Sequence, residues 1–248
     1  RNKFNKEEGM ALKRIIHVAL ASGFLLARCT GNGEENSVNQ ANNSEKIQSA
    51  TEPSASSSAV EIIGTGQYGR GAQSDGQDTN STEEPMRILT EDADAISIYF
   101  SRSGNTENLV KMIYNETNAD VLELTLSEPY PEDYEETVEL ANAERDSGNF
   151  PEINTEIPDF SQYDRIFLGY QTWAMTLSNP IISFLGTNGE LIDGKTIYPF
   201  SSNAGYGEGN SLQRMQEILP NSMIEESFTV EDEAVVSSQN ELAEWVAD

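Results

Sequence analysis

The sequence has one cysteine, Cys29, and one histidine, His17. A single cysteine permits no internal disulfide bond and no metal site built from several cysteines. His17 lies in a segment that we expect to be removed, which would leave no histidine for a Ser-His-Asp triad, for acid–base catalysis or for metal binding. We therefore expect no catalytic side chain and no metal, and any redox chemistry would have to come from an organic cofactor.

Basic residues are scarce in the second part of the chain. The 248 residues include 15 Lys and Arg against 42 Asp and Glu, and only six of the basic residues but 31 of the acidic ones follow residue 90. The resulting net charge of −25 repels the phosphates of nucleic acid and the headgroups of anionic lipid, so neither is an expected partner. Such a surface suits a basic protein partner, and it fits equally well a surface that serves solubility alone.

The most apolar stretch is too short to cross a membrane. It covers Ile15–Leu26 and follows Lys13 and Arg14, whereas a membrane-spanning helix needs about 20 apolar residues. A charged start followed by a short apolar run is typical of a signal peptide. The segment then ends at Cys29 in a pattern that resembles a bacterial lipoprotein signal, although Arg28 stands where a small residue is usual. Cys29 is therefore the predicted lipidation site.

The chain accordingly divides into three predicted parts. Residues 1–29 form the signal segment, and residues 91–248 form a folded domain. Residues 30–90 are dominated by Ser, Asn, Gln, Gly, Glu and Thr, which predicts a disordered low-complexity linker. We expect an extracytoplasmic protein that is lipid-anchored to the bacterial cell membrane and touches the membrane only through this N-terminal anchor. A secreted protein is the alternative.

Residues 91–248 alternate between β-rich runs and helical stretches. The predicted strands are 95–100, 121–126, 165–170, 195–200 and 223–230. The predicted helices are 107–117, 131–146, 180–185, 211–219 and 238–247. Five βα units predict a doubly wound parallel sheet with helices on both faces. In such folds, ligands bind beyond the carboxyl ends of the strands.

A candidate phosphate-binding loop follows the first predicted strand. It consists of Ser101, Arg102, Ser103, Gly104, Asn105 and Thr106. Hydroxyl groups, a glycine and backbone N–H groups at the start of a helix bind phosphate well. The loop has no lysine of the nucleotide-binding kind, so a monophosphate fits better than a triphosphate. A helix capped by Ser and Thr alone is the other interpretation.

The pattern Ser-x-Ser-Gly-Asn-Thr after a first strand resembles the phosphate loop of flavodoxins, and residues 130–134, 169–173 and 194–200 add to the resemblance. It implies a flavodoxin-like α/β fold, a five-stranded sheet in the order 2-1-3-4-5, and FMN as cofactor. Ser101, Ser103, Asn105 and Thr106 would hold the phosphate, with help from the backbone of Arg102 and Gly104. The isoalloxazine ring would be flanked by Gln171, Thr172, Trp173, Ala174 and Met175, and its other edge covered by Ser202, Asn203, Ala204, Gly205, Tyr206 and Gly207.

Three aromatic residues are assigned from their positions. Trp173 is predicted to stack on the flavin or touch its edge, whereas Trp245 is predicted to be core; Tyr206 either contacts the opposite face or faces solvent. Flavodoxins of this type usually have glycine just past the tryptophan, where Ala174 and Met175 stand here. Because a left-handed backbone costs a non-glycine residue about 1–2 kcal/mol, we expect weaker stabilisation of the one-electron-reduced flavin than in a typical flavodoxin.

The resemblance implies a monomeric electron-transfer protein with a basic redox partner. Two alternatives stay open at this point. The first is an NAD(P)H-dependent quinone or flavin reductase of the same fold, although the sequence shows no clear nicotinamide site. The second is a surface binding module that has lost FMN, which the intact phosphate loop disfavours.

Overall fold

The structure is a computed structural model that describes residues 59–63 and 84–247. The predicted signal segment, with Cys29, and most of the predicted linker lie outside the described residues. Within the two described ranges, no helix has the length and apolar composition that a membrane span requires.

The described elements follow the predicted alternation of strands and helices. The strands are β1 (Arg87–Ile88), β2 (Ala95–Tyr99), β3 (Asp120–Glu123), β4 (Arg165–Trp173), β5 (Thr176–Leu177), β6 (Thr196–Asn203), β7 (Met223–Ile224) and β8 (Phe228–Glu231). The helices are α1 (Asn105–Thr117), α2 (Tyr134–Ser147), α3 (Asn179–Asn188), α4 (Ser211–Ile218) and α5 (Gln239–Ala247). Short 3-10 turns cover Gly189–Leu191 and Asp232–Ser238.

The sheet is mostly parallel, in the order β1-β3-β2-β4-β6-β7, and β8 also pairs with β6. The predicted order 2-1-3-4-5 is confirmed. The five predicted strands correspond, in chain order, to β2, β3, β4, β6 and the β7–β8 pair, and in the sheet they lie in the order β3, β2, β4, β6 and β7–β8. The fifth strand is split because the hydrophilic residues 225–227 separate its two pieces, both of which run parallel to β6. β1 and β5 are antiparallel additions.

Helices cover both faces of the sheet, as predicted. Along β2, Ile96 and Ile98 belong to one core cluster, whereas Ala95 and Tyr99 belong to the other. This alternation is the period of two that a strand imposes. The first cluster includes residues of α2, α3 and α4, and the second includes residues of α1 and α5.

Gly169, in the middle of β4, is required by the packing of the sheet. A Cβ atom there would lie 2.4 Å from Cζ of Phe200 and 2.8 Å from Cβ of Tyr99.

We expect Gly169→Ala to lower the free energy of unfolding by about 1–3 kcal/mol, the usual cost of overpacking a core. The matched control is Gly186→Ala in α3, where a Cβ would meet no atom within 4 Å and helix propensity favours alanine by about 1 kcal/mol. Urea unfolding of both variants checks the prediction, which similar midpoints would contradict.

Two pieces of the predicted linker contact the folded domain. Asn115 accepts a hydrogen bond from the N–H of Val60 (2.7 Å) and donates one to its carbonyl (2.9 Å). Asn108 does the same with Ile63, at 3.1 and 2.6 Å. We name these four residues the asparagine clamp. Farther along the chain, β1 pairs with β3. The composition of residues 30–90 could not reveal these contacts, because the asparagines are supplied by α1.

Candidate functional site

A cleft of about 710 Å³ opens beyond the carboxyl ends of the central strands, where the fold class places ligands. The predicted site residues that line it are Arg102, Ser103, Asn105, Gln171, Thr172, Trp173, Ala174, Met175, Ser202, Asn203, Ala204 and Tyr206. The other predicted residues, namely Ser101, Gly104, Thr106, Gly205 and Gly207, are not part of the lining. The structure therefore brings together three segments that are far apart in sequence.

The start of α1 has a geometry suited to an anion. Gly104 is its N-cap with a φ of 82°, and no side chain forms a cap hydrogen bond there. Ser101 Oγ instead accepts a hydrogen bond from the N–H of Gly104 at 3.1 Å. The helix begins in a buried loop, with Ser101 and Asn105 only 1% and 5% exposed. The first N–H groups of a helix have no partner inside it, so an anion in this loop would supply one.

The hydroxyl of Thr106 points into the protein. It lies 3.0 Å from Ser202 Oγ and accepts a hydrogen bond of 2.7 Å from Gln171 Nε2. Gln171 also donates to the carbonyl of Phe100. These bonds join the ends of β2, β4 and β6, so Thr106 would help to hold a phosphate through its N–H. Among the described residues, Gln171 Oε1 and Thr172 Oγ1 have no hydrogen-bond partner.

Ala174 and Met175 form the two-residue turn between β4 and β5, where Trp173 pairs with Thr176. Their φ angles are 49° and 64°, the pattern of a type I′ hairpin turn. The left-handed conformation is therefore already present in the fold. We expected a weakly stabilised one-electron-reduced flavin because residues 174 and 175 would have to adopt a left-handed backbone, at a free-energy cost, when the flavin is reduced. Both residues already have this backbone conformation in the structure, so that reason no longer applies.

A glycine supports this turn from the neighbouring loop. The N–H of Asn210 donates to the carbonyl of Met175 at 2.9 Å. A Cβ atom on Gly209 would lie 2.2 Å from that carbonyl oxygen. The close approach of the two backbones requires glycine at position 209, and the hairpin is fixed to the segment that leads into α4.

We expect Ala174→Gly to raise the free energy of unfolding by about 1 kcal/mol, because glycine adopts a positive φ without the cost that alanine carries. The matched control is Ala143→Gly, on the exposed side of α2, which should lower it by about the same amount. Urea unfolding of the two variants gives the sign directly. A destabilised Ala174→Gly protein would contradict the strain assigned to the turn.

Trp173 forms one wall of the cleft and also packs on the core. Its ring meets the ring of Tyr130 edge-on at 5.2 Å and that of Phe100 at 6.4 Å. Tyr130 donates a hydrogen bond to Glu144, and burial first, then this bond, raises the pKa of Tyr130 far above its usual range. The contacts hold Trp173 at the edge of the cleft. Trp245, predicted to be core, lies partly buried at the edge of the second core cluster, beside Phe167.

Asn203 shapes the loop after β6. Its Oδ1 atom accepts hydrogen bonds from the N–H groups of Gly205, Tyr206 and Gly207, each at 2.9 Å. Its Nδ2 atom donates to the carbonyl of Val230 at 3.0 Å. The two glycines have φ angles of 84° and 67°, and they give the loop its curvature without lining the cleft. Tyr206 lines the cleft and is 49% exposed.

One wall of the cleft comes from α2 and was absent from the sequence prediction. We name it the α2 wall, and its residues are Tyr134, Glu135, Thr137, Val138, Ala141, Asn142 and Arg145. Most of these residues recur at intervals of three or four, so they share one side of the helix. The signal in the sequence was a stripe of neutral residues along a mostly acidic helix. Asp232, in a 3-10 turn after β8, also lines the cleft.

A family model and several solved structures are similar to this chain. The flavodoxin family model matches residues 94–248. A protein from Bacteroides uniformis that is described as a flavoprotein shares 18% identity, over 64% of this chain and 100% of that one, with a TM-score of 0.55. A Lactobacillus acidophilus flavoprotein solved in complex with FMN shares 21% identity, over 60% and 99%, with a TM-score of 0.50. No curated protein matches the sequence.

Proposed function

The chain belongs to the flavodoxin family, and we therefore propose that its cleft binds FMN and that the protein transfers electrons between redox partners. The observation that carries this proposal is the uncapped start of α1 at one end of the cleft. A monophosphate would accept hydrogen bonds from the first N–H groups of that helix, and the helix dipole would favour its negative charge.

The residues of the cleft fit FMN at both ends. Ser103 and Asn105 present polar side chains beside the start of α1, and Trp173 offers an aromatic ring at the carboxyl end of β4. The unpaired Thr172 Oγ1 and Gln171 Oε1 atoms near Trp173 are polar groups that a flavin ring, with its own donors and acceptors, would match. The L. acidophilus flavoprotein is consistent with this assignment, because it was solved with FMN.

Bound FMN would supply the redox chemistry, which needs no catalytic side chain. The protein would set the affinity and the access. The loop after β6, which Asn203 orders, and the β4–β5 hairpin would cover the flavin ring from two sides. Met175 and Tyr206 are 50% and 49% exposed, and they would form the edge of the cleft that a partner contacts.

The acidic surface supports a basic redox partner, since opposite charges speed encounter and the effect falls with salt. We expect FMN-loaded full-length protein, reduced with dithionite, to reduce the basic haem protein cytochrome c at a rate that falls at least 10-fold between 10 and about 300 mM salt. Ferricyanide, an anion, is the control and should react faster as salt rises. The proposed carrier role is contradicted if the two acceptors show the same salt dependence.

A small-molecule reductase is the second candidate, and the α2 wall favours it because it extends the cleft beyond the predicted flavin contacts. Turnover of NADH or NADPH with a quinone by the FMN-loaded protein alone would support the reductase. Reduction that depends on a partner protein would support the carrier. A protein that takes up no FMN would overturn both and would support a binding module.

We also propose that the protein is exported and anchored to the membrane through a lipid on Cys29, and that it is a monomer. The support is the charged and apolar segment that precedes this residue. In a bacterial host, the full chain should label with a palmitate analogue and stay with membranes, whereas Cys29→Ser should lose both properties. Unchanged labelling of Cys29→Ser would sink the proposal, and Arg28→Ala tests whether the arginine slows processing.

A further inference from the structure

We propose that the α2 wall binds an organic anion with a flat apolar body, and that Arg145 binds its negative group. The inference rests on the proposed function in one respect, namely that FMN occupies the rest of the same cleft. The ligand would lie between the flavin and the helix, with its charge at the far end.

Arg145 is held in place by neutral groups. One terminal nitrogen donates to Asn179 Oδ1 at 2.7 Å, and the other donates to Asn142 Oδ1 at 2.9 Å. Asn179 is fully buried at the start of α3, so it fixes the guanidinium from the protein side. Two of the five N–H donors of the arginine are used in this way. The remaining donors and the full positive charge are available to a ligand.

Three of the other basic side chains of the domain are paired with carboxylates. Lys111, Arg165 and Arg214 form ion pairs with Glu107, Asp94 and Glu217. Lys195 donates to the carbonyl of Tyr163. In the part of the chain that the structure describes, Arg145 forms no ion pair with a carboxylate, although acidic residues outnumber basic ones about fivefold after residue 90. Arg102, the other basic residue that lines the cleft, donates to the carbonyl of Glu132 at 2.7 Å. Arg145 is instead oriented by two neutral side chains, and it faces the cleft.

The distribution of charge along the α2 wall indicates what kind of ligand would fit. Glu135 lies near the opposite end of α2, about 15 Å away along the helix axis. Between it and Arg145 the wall presents Thr137, Val138 and Ala141, none of which carries a charge. Glu144, next to Arg145 in sequence, accepts hydrogen bonds from Tyr130 and Asn179 and is not part of the cleft lining.

The position of Arg145 in the last turn of α2 does not account for these features. A cation near a helix C-terminus interacts favourably with the helix dipole, and an exposed side chain satisfies that interaction. The interaction with the dipole requires neither the hydrogen bond to a buried asparagine of another helix nor a position in the cleft. The geometry therefore indicates a binding role.

The test uses full-length protein loaded with oxidised FMN and two probes of the same ring size. 1,4-Naphthoquinone-2-sulfonate carries a negative charge, and menadione, 2-methyl-1,4-naphthoquinone, carries none. Each is titrated while the flavin absorption and fluorescence are recorded. Arg145→Gln is the test variant, and Arg214→Gln, an equal charge change in an exposed ion pair on α4, is the matched control. The dissociation constant of FMN is measured first for every protein.

We expect Arg145→Gln to weaken binding of the sulfonate by about 10- to 100-fold, the usual range for losing charge-assisted hydrogen bonds. Menadione and FMN should bind within about threefold of the wild type, and Arg214→Gln should change none of the three. Equal sulfonate binding by Arg145→Gln and wild type, or no sulfonate binding by the FMN-loaded wild type, overturns this inference alone. A wild-type protein that binds no FMN overturns the proposed function and this inference with it, and the first measurement reveals that case.

Discussion

Replacing Ser103 with aspartate should weaken FMN binding by about 1000-fold and leave riboflavin binding almost unchanged. Ser103 lines the cleft beside the start of α1, where the phosphate is proposed to lie. A carboxylate about 4 Å from a phosphate repels it by about 4 kcal/mol at the effective dielectric constant of a protein surface, and each 1.36 kcal/mol corresponds to a factor of ten. Riboflavin has no phosphate and would not experience this repulsion.

The comparison between the two flavins makes the experiment specific. Ser103→Ala removes the hydroxyl without adding charge and should cost about 10-fold in FMN affinity, the value of one hydrogen bond to a charged group. Both variants are titrated with FMN and riboflavin, and quenching of the flavin fluorescence gives the dissociation constants. Equal losses for FMN and riboflavin in Ser103→Asp would show a misfolded loop or a phosphate held elsewhere. No loss for either would remove the phosphate site from this loop.

Asn203→Ala should weaken FMN binding by about 100-fold while the protein stays folded. The substitution removes the oxygen that accepts from the N–H groups of Gly205, Tyr206 and Gly207. It also removes the donor to the carbonyl of Val230. Each lost hydrogen bond costs about 1 kcal/mol, so the loop should become mobile in the variant. FMN binding would then have to order the loop, and the free energy needed for this ordering would weaken the affinity.

Two further variants separate loop ordering from general stability. Asn221→Ala, in a turn where the side chain bonds to Asp193, removes the same group outside the cleft lining and should leave FMN affinity unchanged. Asn203→Asp keeps the acceptor and loses the donor, so its affinity should fall between that of wild type and Asn203→Ala. Isothermal titration with FMN ranks the variants, and amide hydrogen exchange of residues 204–207 shows whether the loop has opened. Normal affinity together with fast exchange would contradict the positioning role of Asn203.

The parts of the molecule that the sequence predicted have local causes. The β-rich run before Ser101 and the polar loop after it are adjacent in the chain, so composition and order suffice to place the candidate phosphate-binding loop at the end of β2. The five strands and helices likewise follow from short patterns, and the family adds their order in the sheet. The structure departs from the prediction mainly in three places: the hydrophilic residues 225–227 divide the fifth strand into β7 and β8, the short strands β1 and β5 are additional, and α2 begins at Tyr134.

The features that escaped prediction depend on contacts between distant segments. Arg145 belongs to the cleft because α2 packs against α3, where Asn179 orients its guanidinium. The positive φ angles of Ala174 and Met175 could not be inferred from residue type, which argues against them, whereas the two-residue connection between β4 and β5 imposes them. In both cases the tertiary arrangement decides, and a single sequence contains no direct record of it.

The asparagine clamp has a consequence for how this chain tolerates mutation. Among the described residues, the side chains of Asn108 and Asn115 bond only to the N–H and carbonyl groups of Ile63 and Val60. Every residue except proline possesses both of these groups. Ile62 adds an apolar contact with the second core cluster. Evolutionary drift in residues 59–63 should therefore be nearly neutral as long as proline is absent from 60 and 63 and position 62 stays apolar. Purifying selection would instead concentrate on Asn108 and Asn115, two helix positions whose own neighbourhood gives no hint of the segment they hold.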